Sequence, residues 1–177
     1  MSDAEDRPSP LDDPGFVAGL RPIPSGLPGE VPVWPAADLH GVRPDGSPVS
    51  VVLADLDRPL LLVFLAERCD GCESFWQGID GGVADPALAS VVPVVVTRGP
   101  DSVADGEVTA RVARFGGVLV MSDRAWTDYR VTGYPFLVLV DPTSERILAE
   151  SVGVGWDDVA STIRAGLGSS GPGGARG

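Results

Sequence analysis

Apolar residues in this chain fall into short runs separated by segments of helical spacing. Leu60 to Ala66 is an unbroken apolar run, strand-sized and bounded by charge, which predicts a strand buried on both faces. Val91 to Thr97 and Val118 to Ser122 repeat that signature. Phe136 to Val140 and Ile147 to Val152 flank the turn Asp141-Pro142-Thr143-Ser144 and predict a hairpin. Val49 to Ala54, after Pro44-Asp45-Gly46-Ser47-Pro48, reads as the second arm of an earlier hairpin whose first arm lies near Ala36 to Val42.

Helices are expected between these runs. Cys72 to Ile79 opens one directly after the central strand. Glu107 to Phe115 carries Val108, Val112 and Phe115 at helical spacing, with Gly116-Gly117 as its stop. Asp123 to Tyr129 is a short turn or helix, and Asp157 to Leu167 lines up Val159, Ile163 and Leu167 on one face. The order ββ, β-α-β-α-β-α-ββ-α predicts an α/β fold, with an N-terminal β-hairpin and a central mixed sheet flanked by helices.

Proline and glycine mark where this pattern stops. Residues 1–35 hold 8 Pro and 4 Gly, and residues 166–177 hold 6 Gly and 1 Pro. The expected organisation is a flexible, Pro-rich, acidic lead-in over 1–30, one folded domain over 31–167, and a disordered Gly-rich tail over 168–177. The acidic set Asp3, Glu5, Asp6, Asp12 and Asp13 reads as a solvated tail. No apolar stretch reaches the length of a membrane span. The first residues lack a basic region followed by an apolar one, so the expected location is cytoplasmic.

Charge narrows the function classes. The net charge is −12, and no nucleic-acid partner is expected, because phosphate binding needs a basic surface. All 13 basic residues are arginine, so there is no lysine for a Schiff base or a phosphate loop. No GxGxxG follows a strand, and no cofactor is expected.

The two cysteines of the chain stand as Cys69-Asp70-Gly71-Cys72, between the buried strand and its helix. A thiol at a helix N-terminus meets free backbone N–H groups and the positive end of the helix dipole, which favour the thiolate. Cys72, one turn on, is within disulfide reach. Cys69 can then attack a partner disulfide and Cys72 can resolve the mixed species. A zinc site lacks ligands, since only His40 could join the two thiols, and no metal is expected. A permanent structural disulfide or an inert pair stays open, although so small a loop stabilises little.

A second landmark is Val131-Thr132-Gly133-Tyr134-Pro135-Phe136. Proline cannot donate to a ladder, so Pro135 either begins the strand in trans or carries a cis bond that turns the backbone.

Together, the run from Leu60 through Cys72 and the segment Tyr129 to Pro135 resemble a thioredoxin-fold protein, and the N-terminal hairpin and the long intervening segment are similar to the TlpA/ResA-like, redoxin-type branch. The resemblance covers about residues 31–167. It implies a thiol-disulfide oxidoreductase with Cys69 as nucleophile and Cys72 as resolving thiol. It also implies a cis bond at Tyr134-Pro135, with both residues beside the bound substrate. Expected partners are a disulfide-bearing protein or small thiol, and an external electron donor.

The departures are specific. Arg68 stands where thioredoxins usually have Trp, and Asp70-Gly71 where they have Gly-Pro. Arg68 favours the Cys69 thiolate and Asp70 opposes it, so the redox poise has no readable sign. The buried aspartate of many thioredoxins falls at Val63, leaving Glu67 as a candidate base or a plain surface carboxylate. Trp76 reads either as an apolar lip that receives a partner or as core, and Trp34, Trp126 and Trp156 as core. A thiol peroxidase is disfavoured, because Ala66 occupies the position where Thr or Ser is expected. A non-catalytic redox-sensing or interaction module is the alternative reading.

Overall fold

The computed structural model describes residues 34–66, 69–80, 86–102 and 115–169. Its strands are β1 (Leu39–Val42), β2 (Pro48–Val51), β3 (Leu60–Phe64), β4 (Val92–Thr97), β5 (Val118–Met121), β6 (Phe136–Asp141) and β7 (Arg146–Val152). The described α-helices are α1 (Glu73–Asp80), α2 (Asp123–Asp128) and α3 (Asp157–Ser169).

All seven strands join one mixed sheet in the order β2-β1-β5-β4-β3-β6-β7. The apolar run Leu60–Phe64 lies at its interior, parallel to β4 and antiparallel to β6, with Phe64 opposite both Val96 and Phe136. Alternation divides its side chains between two cores. Leu60, Leu62 and Phe64 pack with Leu39, Trp126 and Tyr129 on one face. Leu61, Val63 and Leu65 pack with Phe75, Trp76, Val159 and Ile163, from α1 and α3, on the other. Because β3, β4 and β5 are parallel, their C-terminal ends share one edge of the sheet. Ligand chemistry in open α/β sheets gathers at that edge.

Several boundaries differ from the sequence expectation. The second hairpin arm ends at Val51, and Leu53–Asp55 forms a 3-10 turn, because Asp38 Oδ1 accepts from the Leu53 amide (2.8 Å) and draws the chain out of the ladder. The last helix runs two residues past Leu167. Its Gly166 lies where a Cβ would meet Leu139, so this end of α3 packs closely on the sheet. Trp126 is buried, whereas Trp34, expected in the core, is 40% exposed with the Arg130 guanidinium over its ring. His40 is exposed and shares a hydrogen bond with Ser50 (3.0 Å). The Pro-rich lead-in over 1–30, residues 170–177 of the tail, and the helix expected over Glu107–Phe115, Phe115 apart, fall outside the described residues.

Tyr129 ties the segment before β1 to the core. Its hydroxyl donates to Ala37 O (2.6 Å) and accepts from Ala37 N (3.1 Å), while its ring lies beside Phe64. Burial pushes this phenol up to about 12, from its ordinary value of 10.0, despite the opposing hydrogen bond to Ala37. Between those values the unfolded chain has lost a proton that the folded chain keeps, so stability is intact below about pH 10 and falls as pH rises through the folded value. The expected loss is about 2–3 kcal/mol. Denaturant midpoints at pH 8 and pH 11.5 measure it; Tyr129→Phe removes that alkaline loss and itself costs about 1–2 kcal/mol at pH 8, from the unpaired Ala37 groups.

Candidate active site

The chain leaves β3 at Phe64, and Leu65 adds one further ladder bond to Val96 O (3.0 Å). Cys69 is extended (φ −134°, ψ 106°) and caps a 3-10 turn over Asp70–Cys72 that leads into α1. This turn is tighter than the helix expected to open at Cys72, and its closing bond runs from Cys72 N to Cys69 O (2.9 Å). It sets the two Cα atoms 5.2 Å apart, and the cysteines form a disulfide. Their environments differ: Cys69 is half-buried, Cys72 is fully buried against Phe75 and Trp76, and Asp70 and Gly71 between them are exposed.

Pro135 is the second part of the site. The Tyr134–Pro135 bond is cis. A Cβ on Gly71 would stand 3.8 Å from Pro135 Cδ and 3.9 Å from Cys69 Sγ, so the cysteine turn and the proline ring are neighbours. Pro135 is itself buried, its carbonyl accepting from Gly153 N (2.9 Å). Tyr134 is 49% exposed, with its ring set edge-on to Trp126 at 6.0 Å.

The loop after β7 completes the rim. Val152 and Val154 are exposed, Val154 at 88%, on either side of Gly153, where a Cβ would meet the Phe75 ring at 2.5 Å. Asp158 Oδ2 accepts from Val154 N (2.6 Å) and Gly155 N (3.1 Å), and these two amides hold its carboxyl below the usual carboxylate range. Val154 and Gly153 escaped the sequence reading. Their only signal is the alternation Val152-Gly153-Val154-Gly155 between a strand and a helix.

The expected residues are thus partly brought together. Cys69, Cys72, Asp70, Tyr134 and Pro135 lie at one edge of the sheet. Trp76 does not form a lip: it is 4% exposed and packs under the site against Phe115, because it faces the same side of α1 as Phe75. Val63 is fully buried between Val95 and Leu137 and supplies no carboxylate. Among the described residues no Asp or Glu is buried, and no three His, Cys, Asp or Glu are grouped to hold a metal ion. Arg68 and Glu67 lie outside the described residues.

Solved structures share this fold. A putative thiol:disulfide interchange protein DsbE from Chlorobium tepidum matches 76% of this chain and 94% of its own, with a TM-score of 0.59 at 18% identity. The thioredoxin domain of a thiol-disulfide oxidoreductase from Bacteroides vulgatus matches 73% and 93%, at 0.54 and 19%. StoA from Bacillus subtilis matches 71% and 95%, at 0.54 and 15%. This chain has the thioredoxin fold. In thioredoxin-fold terms its N-terminal hairpin extends the sheet beyond β5, and the cysteine turn stands at the strand-to-helix junction after β3. No protein-family model and no curated protein matches the chain.

Proposed function

We propose that this protein is a thiol-disulfide oxidoreductase that exchanges disulfides with protein or small-thiol partners. The observation that carries this is the asymmetry of the pair: a reachable Cys69 closed against a fully buried Cys72, beside a cis proline. In the reduced state the Cys69 thiolate attacks one sulfur of a partner disulfide and releases the other as a thiolate. Cys72 then attacks Cys69 Sγ, forms the internal disulfide and releases the second partner thiol; two electrons have passed to the partner, and an external dithiol restores them. Backbone N–H groups of the turn into α1 stabilise the Cys69 thiolate.

Tyr134 and Pro135 flank the partner chain in this reading, with Val152 and Val154 as the exposed apolar surface against which it rests. Apolar side chains grouped this way beside reactive sulfur favour a partner of exposed, unfolded or loop character. Cys72 would meet its proton acceptor late, since Val63 offers none, and resolution is the expected slow step.

The test is the reduction potential, by equilibrating the protein in glutathione or dithiothreitol buffers and counting free thiols. A reversible two-electron couple is expected. A value near or below about −270 mV marks a reductant suited to a cytoplasmic setting, and one near about −120 mV marks an oxidant. If no reversible couple exists, the disulfide is structural and the exchange reading is wrong.

A further inference from the structure

We infer that Arg98 is a specificity-determining residue that favours a carboxylate placed beside the reactive sulfur of the partner, an inference that rests on the exchange reading above. Arg98 directly follows β4, and Cys69 follows β3, its parallel neighbour, so both stand at the same edge of the sheet. Pro135 precedes β6 at that edge too, since Phe136 lies opposite Phe64. One buried indole connects them: the Arg98 guanidinium lies over the Trp126 ring at 4.3 Å, and the Tyr134 ring meets Trp126 edge-on at 6.0 Å. Trp126 is in turn held by Phe64, the last residue of β3, at 5.5 Å.

This stack gives a long side chain a fixed place. Guanidinium on an indole face loses little hydration and keeps its N–H edge free to pair. The pairing available within the chain is weak. Among the described residues the only polar partner of the guanidinium is Asp123 Oδ1, at 3.5 Å, longer than the roughly 2.7–2.9 Å of a charge-assisted bond. Asp123 Oδ2 accepts instead from Ser102 Oγ at 2.7 Å. Arg98 therefore presents an incompletely neutralised charge with 45% of its side chain exposed.

The surroundings sharpen the effect. The chain carries a net charge of −12, and Asp70 is exposed between the cysteines, so an acidic partner is repelled at most places on this surface. Arg58 and Arg146 belong to the opposite edge of the sheet, by the register of β3 and β7, and Arg43 follows β1, which β5 and β4 separate from β3, and donates to Pro48 O at 3.2 Å. Arg124, near the active edge, pairs with Asp128 along its own helix at 3.2 Å. Arg130 is engaged over the Trp34 ring at 3.1 Å. Among the described residues, a carboxylate approaching the cis-proline side thus finds a counter-charge at Arg98, which shares Trp126 with Tyr134.

The experiment compares, for the wild-type protein recycled by dithiothreitol, kcat/KM for symmetric disulfides of one short peptide whose residue next to Cys is Glu, Gln or Arg. In each turnover Cys69 and Cys72 pass two electrons to the peptide disulfide, releasing two peptide thiols, and dithiothreitol is oxidised in their place. The expected Glu-to-Gln ratio is about three to five, falling as salt is added. Arg98→Gln brings the ratio to one and Arg98→Lys restores part of it. Because the ratio is taken within one preparation, partial misfolding of a variant does not move it. Oxidised glutathione measured against hydroxyethyl disulfide is the second arm. An Arg98-dependent preference there alone places the carboxylate on a small thiol, and one with the peptides alone places it on a polypeptide. Equal rates for all flanks in the wild type, or a preference that survives Arg98→Gln in both arms, overturns the assignment of Arg98 while leaving the exchange reading intact. Failure of the wild type to reduce any of these disulfides overturns the exchange reading instead.

Discussion

Cys69→Ser abolishes disulfide exchange, while Cys72→Ser leaves a protein that captures partners covalently. The asymmetry follows from burial: the half-buried sulfur can be reached by a partner disulfide, and the fully buried one can be reached only by Cys69. A serine hydroxyl stays protonated at neutral pH and does not attack a disulfide, so the Cys69→Ser rate falls to the background, at least about a thousandfold below wild type. With Cys72→Ser the first attack proceeds and the second cannot, and the mixed disulfide at Cys69 accumulates. Mass spectrometry after incubation with a peptide disulfide checks both halves. Equal capture by the two serine variants would show that the two sulfurs are interchangeable, contrary to their burial.

Phe64→Ala is the stability change with the largest expected effect. Phe64 is fully buried at the end of β3, edge-on to Trp126 at 5.5 Å and tilted on Tyr129 at 5.8 Å. Truncation removes the transfer free energy of the ring, leaves a cavity between the sheet and α2, and takes both aromatic neighbours from their support. About 3–5 kcal/mol is the expected cost, a large share of the roughly 5–15 kcal/mol that holds a domain folded. Urea midpoints of wild type, Phe64→Leu and Phe64→Ala measure it, with Phe64→Leu expected to lose less than half as much. Because Trp126 carries Tyr134 and Arg98 on its other contacts, Phe64→Ala also loosens the rim of the site. A variant with an unchanged midpoint would mean that Phe64 has no part in the core.

Local pattern was enough for the strands and for the place of the cysteines. An unbroken apolar run such as Leu60–Phe64 can satisfy its side chains only when covered on both faces, and Cys69 and Cys72 are joined to that run by sequence alone. The helix after them was legible for the same reason, although the 3-10 turn at Asp70–Cys72 was not, since its tighter winding leaves no periodic mark. Phe75 and Trp76 show the limit of such reading: adjacent aromatics on a short helix can face partner or core, and only the position of α1 against β3 and α3 turns both inward.

The sequence by itself therefore determined the α/β class, the strand order along the chain, and a thiol pair at a strand-to-helix junction. The tertiary structure decided which residues from distant segments meet there: Gly71 against Pro135, Gly153 beneath Phe75, and Arg98 with Tyr134 on Trp126. Periodicity and turn chemistry act over a few residues, and they carry no information about which strand lies beside which. That choice is made by burying two faces of one sheet at once, and it is this packing that brings Arg98 and the exposed valines to the edge of the sheet where the cysteines stand.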